Sequence, residues 1–591
     1  MRTEARKNRP IPVTNTRARL YTVLATLALG ATALVVRAVD LQVVRKDFYQ
    51  DQGDQRFLRE RLIPVSRGMI VDRNGEPLAV STPVESIWAQ PQELLAHRER
   101  LPELARALGV EPELLEQRVA QRADREFVYL RRHLAPDQAA SILALGVPGV
   151  NAQREFRRYY PGGEVFAHLL GFTDIDDRGQ EGLELAFDEW LAGAPGSKRV
   201  IQDRRGAIVE DVEMLREPVA GRELRLSIDR RVQYLAYREL KTAMLENHAE
   251  SGSMVVLDVE SGEILAMVNW PSYNPNQRGS GDTAARRNRA VTDVFEPGSV
   301  IKAFTVAAGL ESGRYKPDTI IDTHPGTLPV GNHLVRDIRD FGVIDVTRLL
   351  TRSSNVASAK IAATLDDAHF YDMFHRFGFG APTGCGFPGE SPGVLPEPGG
   401  WGEVEKATLS YGYGLSVTPL QLAVAYGALA SQGRLRAPTF VAGAETSVSA
   451  VLDPEIAATL TRMLETVVDT PEGGGKKAAV PNFSVAGKTG TSRKAVAGGY
   501  QRRYISSFAG VVPASRPRLA GVVVINDPRG TDYYGGLVAA PVFGRVMPGA
   551  LRLLNVTPDR VETRVAQSVV PVAPATGELD EHSPYAEGIP P

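Results

Sequence analysis

The stretch that decides the fold is FEPGSVIKAFTVAAGLESG, residues 295–313. Pro297 and Gly298 suit the start of a helix. The residues that follow leave almost no polar face, so the sequence predicts a helix buried in the centre of a domain. Ser299 and Lys302 stand three residues apart and share one face of this helix. A lysine in a dry interior loses proton affinity and can act as a base for a nearby serine. Alone, S-x-x-K is a weak motif that helix capping and a solvent-reaching lysine also explain.

Two further motifs contain residue types that serve acyl transfer. S-S-N at 353–355 precedes a predicted helix over 356–365, and helix capping alone would explain it. A predicted strand over 483–491 ends in K-T-G-T at 488–491, where a glycine lets a ligand approach the backbone. In the order S-x-x-K, S-x-N, K-T-G the three motifs are far more specific than any one of them. The combination is typical of penicillin-binding proteins and class A β-lactamases.

Two glycine-containing stretches resemble nucleotide-binding motifs but lack the necessary context. G-C-G-F-P-G at 384–389 fits G-x-G-x-x-G, yet no strand precedes it, and Pro388 with Pro392 prevents the helix that a dinucleotide fold needs. G-K-T at 487–489 matches the end of a P-loop, yet Asn482 stands where that loop needs glycine. We therefore predict no nucleotide site.

Composition excludes several classes of protein. The 591 residues are 43% hydrophobic and 23% charged, with a net charge of -2. These values are ordinary for a globular chain and argue against a mainly disordered or polytopic membrane protein, and against a nucleic-acid-binding surface. Cys385 is the one cysteine, which excludes an intrachain disulfide and a cysteine-based zinc site. The nine histidines show no metal-ligand spacing, so we expect no metal and no cofactor.

The N-terminal region predicts a membrane anchor. Residues 20–36 are uncharged and mostly apolar, near the lower length limit for a spanning helix. Six Lys and Arg residues and a single acid precede this run, a bias that keeps the N-terminus in the cytoplasm. A cleaved signal peptide is the alternative, although its apolar region is usually shorter, about 7–15 residues. We predict an uncleaved single-pass anchor with the rest of the chain outside the cytoplasm.

The order of predicted elements indicates an α+β fold. Strand-like runs lie on both sides of a mostly helical block over 295–465, which favours an antiparallel sheet built from both ends of one domain. These runs are 253–259, 264–269, 483–486, 505–512 and 519–526. The charged segment 40–62 suggests a helical stalk, Asn74-Gly75 predicts a hairpin turn, and T-P-L-Q at 418–421 predicts a capping box. The predicted divisions are a cytoplasmic tail 1–19, a transmembrane helix 20–40, a pedestal 41–222, a catalytic domain 223–555 and a disordered tail 556–591.

Over roughly residues 20–555 the chain resembles the class B penicillin-binding proteins, the monofunctional D,D-transpeptidases of peptidoglycan. The three motifs and several upstream blocks carry this resemblance: R-G-M-I-V-D-R-N-G at 67–75, R-Y-Y-P at 158–161 and G-Q-E-G-L-E at 179–184. Y-G-Y-G-L-S-V-T-P-L-Q at 411–421 and Y-Y-G-G at 533–536 are most similar to the division-specific, FtsI-type branch. The resemblance implies an elongated dimerisation-type pedestal and a serine β-lactamase-like transpeptidase domain with a central antiparallel sheet flanked by helices.

The resemblance also implies roles for the first two motifs. Ser299 would attack the carbonyl of the penultimate D-alanine of a stem peptide and form an acyl-enzyme, which an amine from a neighbouring stem then opens. Lys302 would be the base for Ser299. Ser353 would relay the proton to the leaving amine, and Asn355 would position Lys302 and the substrate amide.

The third motif would bind the substrate. By the same resemblance, Lys488 supplies positive potential for the substrate carboxylate, and Thr489, Gly490 and Thr491 form the substrate-binding edge. The backbone N–H groups of Ser299 and Thr491 would form the oxyanion hole, and such a donor is typically worth about 10²–10³ in rate.

The resemblance implies partners and a location as well. We expect β-lactam antibiotics to acylate the site, and we expect a polytopic glycosyltransferase and other membrane proteins of the division machinery to bind the anchor and pedestal. The location would be the inner membrane at the division septum, with the catalytic domain in the periplasm. The alternatives are an elongation-specific transpeptidase, a β-lactam-sensing or β-lactam-hydrolysing relative, and a non-catalytic envelope scaffold.

Overall fold

The structure of the protein is a computed structural model that describes residues 16–48, 58–202, 208–277, 283–496 and 498–560. The predicted cytoplasmic tail up to residue 15 and the predicted C-terminal tail from 561 onward lie outside the described residues. Residues 556–560, which the sequence assigned to that tail, are instead attached to the folded chain. The Asp559 carboxylate accepts hydrogen bonds from Ser484 N at 2.8 Å and from Ser515 Oγ at 2.5 Å.

The N-terminal helix α1 (Thr16–Val39) continues through a π-helical turn at Asp40–Val44. Together these residues form one apolar helix that is long enough to cross a membrane, and none of its residues is buried. The helix contains the apolar run from which the sequence predicted an anchor. The predicted helical stalk is only partly correct, because Leu58–Ile63 is a strand. Pairing with a distant strand overrides the local charge pattern that suggested a helix.

The pedestal contains two sheets. The first is antiparallel, with the order β1 (Leu58–Ile63), β6 (Gly196–Gln202), β7 (Ile208–Arg216). The second has the order β4 (Val128–Leu134), β3 (Pro77–Ala89), β2 (Ile70–Val71), β8 (Leu224–Arg225), and β5 (Val150–Tyr159) also pairs with β3. The predicted turn joins β2 to β3, and Gly75 there has a φ of 88°, which only glycine adopts readily.

Seven short helices pack around the second sheet and the loops next to it. They are α2 (Pro91–Ala96), α3 (Leu101–Leu108), α4 (Pro112–Ala120), α5 (Pro136–Leu143), α6 (Ala167–Leu170), α7 (Gly182–Ala186) and α8 (Asp188–Ala192). The first four of them enclose a small core with the inner face of β3 and β4, which includes Ile87, Leu104 and Leu130. The alternation of buried and exposed residues along β4 is what a half-buried strand requires.

A group of opposite charges, buried except for the partly exposed Asp188, lies at α7 and α8. We call it the paired-charge cluster: Arg67, Arg158, Glu184 and Asp188. Glu184 Oε2 accepts from Arg67 Nε at 2.7 Å and Glu184 Oε1 accepts from Arg158 Nε at 2.6 Å. Arg67 Nη1 also donates to Asp188 Oδ1 at 2.7 Å. The side chains of Arg67, Arg158 and Glu184 are at most 1% exposed. The cluster joins three separate parts of the pedestal sequence.

The catalytic half of the chain is organised around one five-stranded antiparallel sheet. Its order is β10 (Ile264–Trp270), β9 (Ser251–Asp258), β19 (Leu519–Asn526), β18 (Gly499–Val512), β17 (Ala486–Val496). The predicted α+β class and antiparallel sheet are confirmed. The predicted strand over 483–491 overlaps β17 but begins three residues too early and ends too soon, and the predicted strand at 505–512 is too short. Both differences arise because β17 and β18 extend as an exposed, polar hairpin that a search for hydrophobic alternation misses.

Helices cover both faces of this sheet. α9 (Arg230–Glu246) and α19 (Ala540–Leu553) pack on one face, where Met254 and Val256 of β9 point. The opposite face, where Val255 and Leu257 point, packs on the helical block. That block contains α10 (Arg289–Thr292), α11 (Lys302–Glu311), α12 (Val346–Arg352), α13 (Asn355–Thr364), α14 (Asp367–Arg376), α15 (Glu403–Leu409), α16 (Pro419–Ala430) and α17 (Pro454–Asp469).

Short elements complete the catalytic half. Three two-stranded ladders are made of β11 (Ile320–Asp322) with β14 (Val343–Asp345), β12 (Thr327–Val330) with β13 (His333–Arg336), and β15 (Arg434–Arg436) with β16 (Val448–Ala450). The one-turn helix α18 (Gly535–Val538) precedes α19. The predicted capping box is present at α16, where Thr418 and Gln421 exchange hydrogen bonds of 2.9 and 3.1 Å.

Candidate active site

Ser299 lies in a 3₁₀ turn, Gly298–Ile301, that leads directly into the buried helix α11. The sequence predicted a single helix over this stretch, and the tighter first turn is the difference. Gly298 has a φ of 58°. Its carbonyl oxygen lies so close to Gly412 that a Cβ atom on residue 412 would be only 2.0 Å from that oxygen. This close packing fixes the turn. The Ser299 side chain is half-buried, and its hydroxyl has no hydrogen-bond partner among the residues that the structure describes.

Lys302 is the first residue of α11 and is completely buried. Its Nζ lies 2.6 Å from Ser353 O, 2.7 Å from Asn355 Oδ1 and 3.2 Å from Ser353 Oγ. Burial lowers the pKa of Lys302 well below its ordinary value, and the positive charge of Lys488 lowers this pKa further. The neutral amine has two N–H groups, enough for the two carbonyl-type oxygens, and one lone pair that is free to accept a proton.

Ser353 ends α12 in the left-handed region, with a φ of 63°, a conformation that non-glycine residues seldom adopt. Its neighbour Ser354 is the helix cap that the sequence suggested, because Ser354 Oγ accepts from Ala357 N at 3.0 Å and starts α13. Capping therefore explains only the middle residue of S-S-N. Ser353 and Asn355, on either side of it, both contact Lys302.

Lys488 reaches the same place from the edge strand β17. Its side chain is buried, and Nζ donates to Ser353 Oγ at 3.0 Å and to Thr489 O at 3.3 Å. Burial lowers the pKa of Lys488 to about 7. The amines of Lys302 and Lys488 thus share the hydroxyl oxygen of Ser353. Because their Nζ atoms lie 3.2 Å and 3.0 Å from Ser353 Oγ, the two amines are at most about 6 Å apart. Two charges at that separation would repel by about 3 kcal/mol at an effective dielectric constant of about 20, so the arrangement favours at least one neutral lysine.

The rest of K-T-G-T packs against the nucleophile turn. A Cβ at Gly490 would lie 2.8 Å from Pro297 O and 2.3 Å from Ser507 Oγ, so glycine is needed for the protein's own packing. Close approach of a ligand, which the sequence suggested, is not the reason that the structure gives. Thr491 Oγ1 accepts from Gly535 N at 2.9 Å, which leaves its hydroxyl proton available to a ligand. Thr489 is half-exposed beside it.

Asp337 is a site residue that the sequence did not reveal. Its Oδ1 accepts from Asn355 N at 2.5 Å and Val356 N at 3.1 Å, and its Oδ2 accepts from Ser354 Oγ at 2.6 Å. This carboxylate binds the N-terminus of α13 and thereby orients Asn355 toward Lys302. Its negative charge also raises the pKa of Lys302, against the two larger effects. A lone aspartate after a short strand carries no motif, so nothing in the sequence marked it.

Aromatic rings form one border of the site. The rings of Tyr504 and Tyr533 stack with centroids 3.9 Å apart, and Tyr533 and Tyr534 follow at 4.6 Å. Gly535, next in the chain, is bonded to Thr491. Nothing in the residues we describe forms a group of three or more His, Cys, Asp or Glu side chains that could bind a metal ion. The groups that the site brings together are the Ser299 hydroxyl and the two buried amines of Lys302 and Lys488.

Comparisons with known proteins agree with this geometry. The family model described as penicillin binding protein transpeptidase domain matches residues 252–548, and the one described as penicillin-binding protein dimerisation domain matches residues 62–226. The probable peptidoglycan D,D-transpeptidase PbpC of Pseudomonas aeruginosa is 43% identical over 92% of this chain and 96% of its own. Peptidoglycan D,D-transpeptidase FtsI of Escherichia coli is 43% identical over 91% and 92%.

A solved structure resembles nearly the whole chain. Penicillin binding protein 3 from Mycobacterium tuberculosis, complexed with aztreonam, is 27% identical with a TM-score of 0.65. The match covers 84% of this chain and 98% of that one. The likeness extends over the pedestal as well as the catalytic half, because the shared part is longer than either family match alone.

Proposed function

The chain belongs to the class B penicillin-binding proteins and is a peptidoglycan D,D-transpeptidase, and from that premise we propose that it cross-links stem peptides at the division septum through an acyl-enzyme on Ser299. The observation that carries the mechanism is the position of Lys302. It lies three residues after Ser299, completely buried, with its two N–H groups taken by Ser353 O and Asn355 Oδ1. A neutral Lys302 then has one lone pair for the proton of an attacking hydroxyl.

In the acylation step, Ser299 Oγ forms a bond to the carbonyl carbon of the penultimate D-alanine while its proton passes to Lys302. The N–H groups of Ser299 and Thr491 stabilise the resulting oxyanion. When the C–N bond breaks, Ser353 transfers a proton to the nitrogen of the departing D-alanine, and Lys302 resupplies that proton. Ser353 Oγ lies 3.2 Å from Lys302 Nζ and 3.0 Å from Lys488 Nζ, which suits a relay.

In the second step, the amine of a neighbouring stem attacks the ester carbon, and the bond to Ser299 Oγ breaks. The proton that the amine loses returns to Ser299. The terminal carboxylate of the donor would lie by Lys488, with hydrogen bonds from Thr489 and Thr491. A β-lactam presents a strained acyl group to the same serine, and its leaving group stays tethered. We therefore expect slow release and inhibition.

The direct test of this activity uses a stem peptide that ends in D-alanyl-D-alanine, together with an amine acceptor. Mass spectrometry should show free D-alanine and the cross-linked product with the wild-type protein, and penicillin should stop both. Ser299→Ala should make neither. Rapid hydrolysis of penicillin would point to a β-lactamase instead, and release of D-alanine by Ser299→Ala at the wild-type rate would contradict the mechanism.

The septal role rests on the branch stretches 411–421 and 533–536 and on the FtsI name of relatives. A functional fluorescent fusion should concentrate at mid-cell, and depletion should give filaments. Rounded cells on depletion would favour the elongation-specific alternative, and normal growth with a Ser299→Ala chain as the sole copy would favour a scaffold.

The anchor α1 supports a single-pass topology with the N-terminus in the cytoplasm and the catalytic half in the periplasm. An alkaline-phosphatase fusion after residue 60 should be active. A mature chain that starts beyond residue 36 would contradict the uncleaved anchor.

We further propose that α1 and the pedestal bind a polytopic glycosyltransferase of the division machinery, because a monofunctional cross-linker needs new glycan strands close by. Replacing residues 20–36 with an unrelated spanning helix should weaken co-purification. Unchanged complex formation and unchanged septal location would count against a specific role for this helix.

A further inference from the structure

Three arginines lie next to Ser353, and the proposed mechanism gives none of them a role. We call Arg339, Arg348 and Arg352 the arginine patch. Arg352 is the last residue of α12 and directly precedes Ser353, and Arg348 lies one helical turn earlier on the same face. The guanidinium groups of Arg339 and Arg352 lie 5.5 and 5.8 Å from the ring centroid of Phe341, which places Arg339 beside α12 as well.

One acid, Glu472, contacts the arginine patch. Arg352 donates to both oxygens of this carboxylate, from Nε at 2.9 Å and from Nη2 at 2.6 Å. These hydrogen bonds lower the pKa of Glu472, and the nearby charges of Arg348 and Arg339 lower that pKa further. Arg339 and Arg348 are exposed, and neither guanidinium forms an ion pair or a hydrogen bond with the part of the chain that the structure describes. The patch therefore presents two positive charges that lack a carboxylate.

The other acids of this region are engaged elsewhere. Asp345 caps α12 by accepting from Arg348 N at 2.6 Å, and Asp340 bonds His324 at 2.8 Å and Gly342 N at 2.9 Å. Asp337 binds the N-terminus of α13. Within the described ranges, none of these three carboxylates forms an ion pair with an arginine of the patch. The local charge is therefore positive beside the S-S-N motif.

The arginine patch lies at the end of the site from which D-alanine would leave. Glu472 belongs to the segment that follows α17, and a Cβ atom at Gly474 in that segment would lie 3.4 Å from Thr489 Oγ1. The pair of Arg352 and Glu472 thus joins the residue before Ser353 to a segment that runs beside Thr489. In the proposed mechanism, the terminal carboxylate of the donor also lies by Thr489, so the departing D-alanine passes this pair.

The acceptor amine has to enter by the same route. The second step is the reverse of amide cleavage with a different amine, so the attacking nitrogen takes the place of the departed nitrogen beside Ser353. The rest of the acceptor then extends outward past the position of the lost D-alanine. An acceptor stem that still has its own D-alanyl-D-alanine ends in a carboxylate, and guanidinium groups bind carboxylates through paired, charge-assisted hydrogen bonds.

We propose that Arg339 and Arg348 bind the terminal carboxylate of the acceptor stem peptide, and that the pair of Arg352 and Glu472 holds α12 in place beside it. The proposal rests on the proposed function, because the position of the donor decides from which end the acceptor enters. It assigns the donor to the edge of β17 and the acceptor to the arginine patch.

The experiment compares two acceptor peptides that are identical except that the terminal carboxylate is free in one and amidated in the other. The donor is acetylated at its amine and the acceptors carry heavy isotopes, so mass spectrometry distinguishes the cross-link from products of self-reaction. Cross-linked product is measured over a range of acceptor concentrations. We expect the wild-type protein to use the free carboxylate about tenfold or more efficiently, because hydrogen bonds between charged groups are the strong ones.

Variants test whether the arginine patch causes this preference. Arg339→Gln combined with Arg348→Gln should reduce the ratio to about twofold or less, by slowing the free acceptor and leaving the amidated acceptor unaffected. The corresponding pair of lysine substitutions keeps both charges and should keep a ratio of at least about threefold.

The matched control is Arg238→Gln. Arg238 is an exposed arginine of α9, which packs on the other face of the sheet from α12, and this variant should keep the wild-type ratio. Acylation by penicillin, which needs no acceptor, and thermal melting check that the donor site and the fold of each variant are intact.

The outcomes are distinct. Equal use of the two acceptors, by a wild-type protein that penicillin still acylates, would overturn the acceptor site and leave the proposed function intact. A wild-type ratio retained by the double glutamine variant would also overturn it, and would favour an acidic partner protein as the ligand of the patch. Absence of acylation by both the donor peptide and penicillin would contradict the proposed function itself.

Discussion

Two buried polar clusters in this chain solve the problem of burying charge in opposite ways. In the paired-charge cluster of the pedestal, Glu184 bonds Arg67 and Arg158, and Arg67 also bonds Asp188. In the active site, which we call the lysine cluster (Lys302, Lys488, Ser353 and Asn355), neither ammonium contacts a carboxylate of the described chain. The two amines bond only to hydroxyl, amide and backbone oxygens.

The pKa directions show what this difference does. Burial by itself would lower the pKa of Arg67, but Glu184 and Asp188 outweigh it, and the pKa rises. Burial lowers the pKa of Lys488 to about 7 and that of Lys302 well below its ordinary value, and the opposing charge of Asp337 is too weak to restore the pKa of Lys302. In the first cluster the carboxylates of Glu184 and Asp188 stabilise the charged guanidinium of Arg67, and the cluster serves structure. The second gives up a proton easily, which is what a general base requires.

The largest expected effect is on Lys302. Lys302→Met removes the base while keeping most of the volume, so we expect the rate of acylation by penicillin to fall by about 10²–10⁴. The free energy of unfolding should change little or rise, because a desolvated amine is lost. Stopped-flow acylation and urea unfolding measure the two. A loss of several kcal/mol in stability would mean that the lysine cluster is structural, like its counterpart in the pedestal.

In the paired-charge cluster of the pedestal, a substitution should lower stability and leave the acylation rate unchanged. Glu184→Ala leaves the buried guanidinium of Arg158 without a carboxylate and that of Arg67 with Asp188 alone, and we expect a loss of about 3–5 kcal/mol in the free energy of unfolding. The folded fraction should be acylated at the wild-type rate. Asp188→Ala is the matched control, because that side chain is 35% exposed and its loss should cost much less. Equal losses in both variants would show that Glu184 is not the centre of the cluster.

The pH dependence of stability should distinguish the clusters too. The folded-state pKa of Lys488 is about 7, below its unfolded value of about 10.4, so protonating the folded protein has a cost that is complete below pH 7. This cost disappears as the pH rises from about 7 to about 10.4. Lys488→Met should therefore be more stable than wild type by about 2 kcal/mol or more at pH 6, with the difference shrinking toward pH 10. A difference independent of pH would contradict a buried, titrating Lys488.

The smallest effect is expected for Asp337, whose carboxylate bonds the backbone of Asn355 and acts on Lys302 only through its charge and through Asn355. Asp337→Asn loosens the N-terminus of α13 and removes the negative charge that raises the pKa of Lys302, so we expect acylation to slow by about tenfold. The acid limb of the pH–rate profile should move to lower pH, since neutral Lys302 then persists to lower pH. Slower acylation with an unmoved limb would assign Asp337 a purely structural role.

Most residues of the lysine cluster could be predicted from the sequence, because short motifs record chemistry directly. The motifs predicted five site residues: Ser299, Lys302, Ser353, Asn355 and Lys488. The last four lie together in the structure, joined through Ser353 Oγ and Asn355 Oδ1. Their individual roles stay predictions. The strand β19 (Leu519–Asn526) was placed correctly because it is continuously apolar and buried.

What the sequence could not show depends on residues distant in the chain. Asp337 acts through backbone amides that the fold brings to it, and the sharing of one hydroxyl by two lysines needs α11, α12 and β17 together. Leu58–Ile63 was predicted as a helical stalk because its charges suit a helix, but it pairs with a strand about 140 residues later. Residue 490 must be glycine because a Cβ atom there would lie too close to Pro297 O in the turn before Ser299. The sequence around residue 490 does not reveal this contact.

The most direct test of the central claim is to locate the adduct of a fluorescent penicillin on the protein. Wild-type protein and Ser299→Ala are incubated with the label, digested and analysed by mass spectrometry, and melting temperatures are compared. We predict one adduct, on the peptide that contains Ser299, and no labelling of Ser299→Ala, whose melting temperature stays nearly unchanged. An adduct on another residue, or undiminished labelling of Ser299→Ala, would contradict the assignment of Ser299 as the nucleophile beside the lysine cluster.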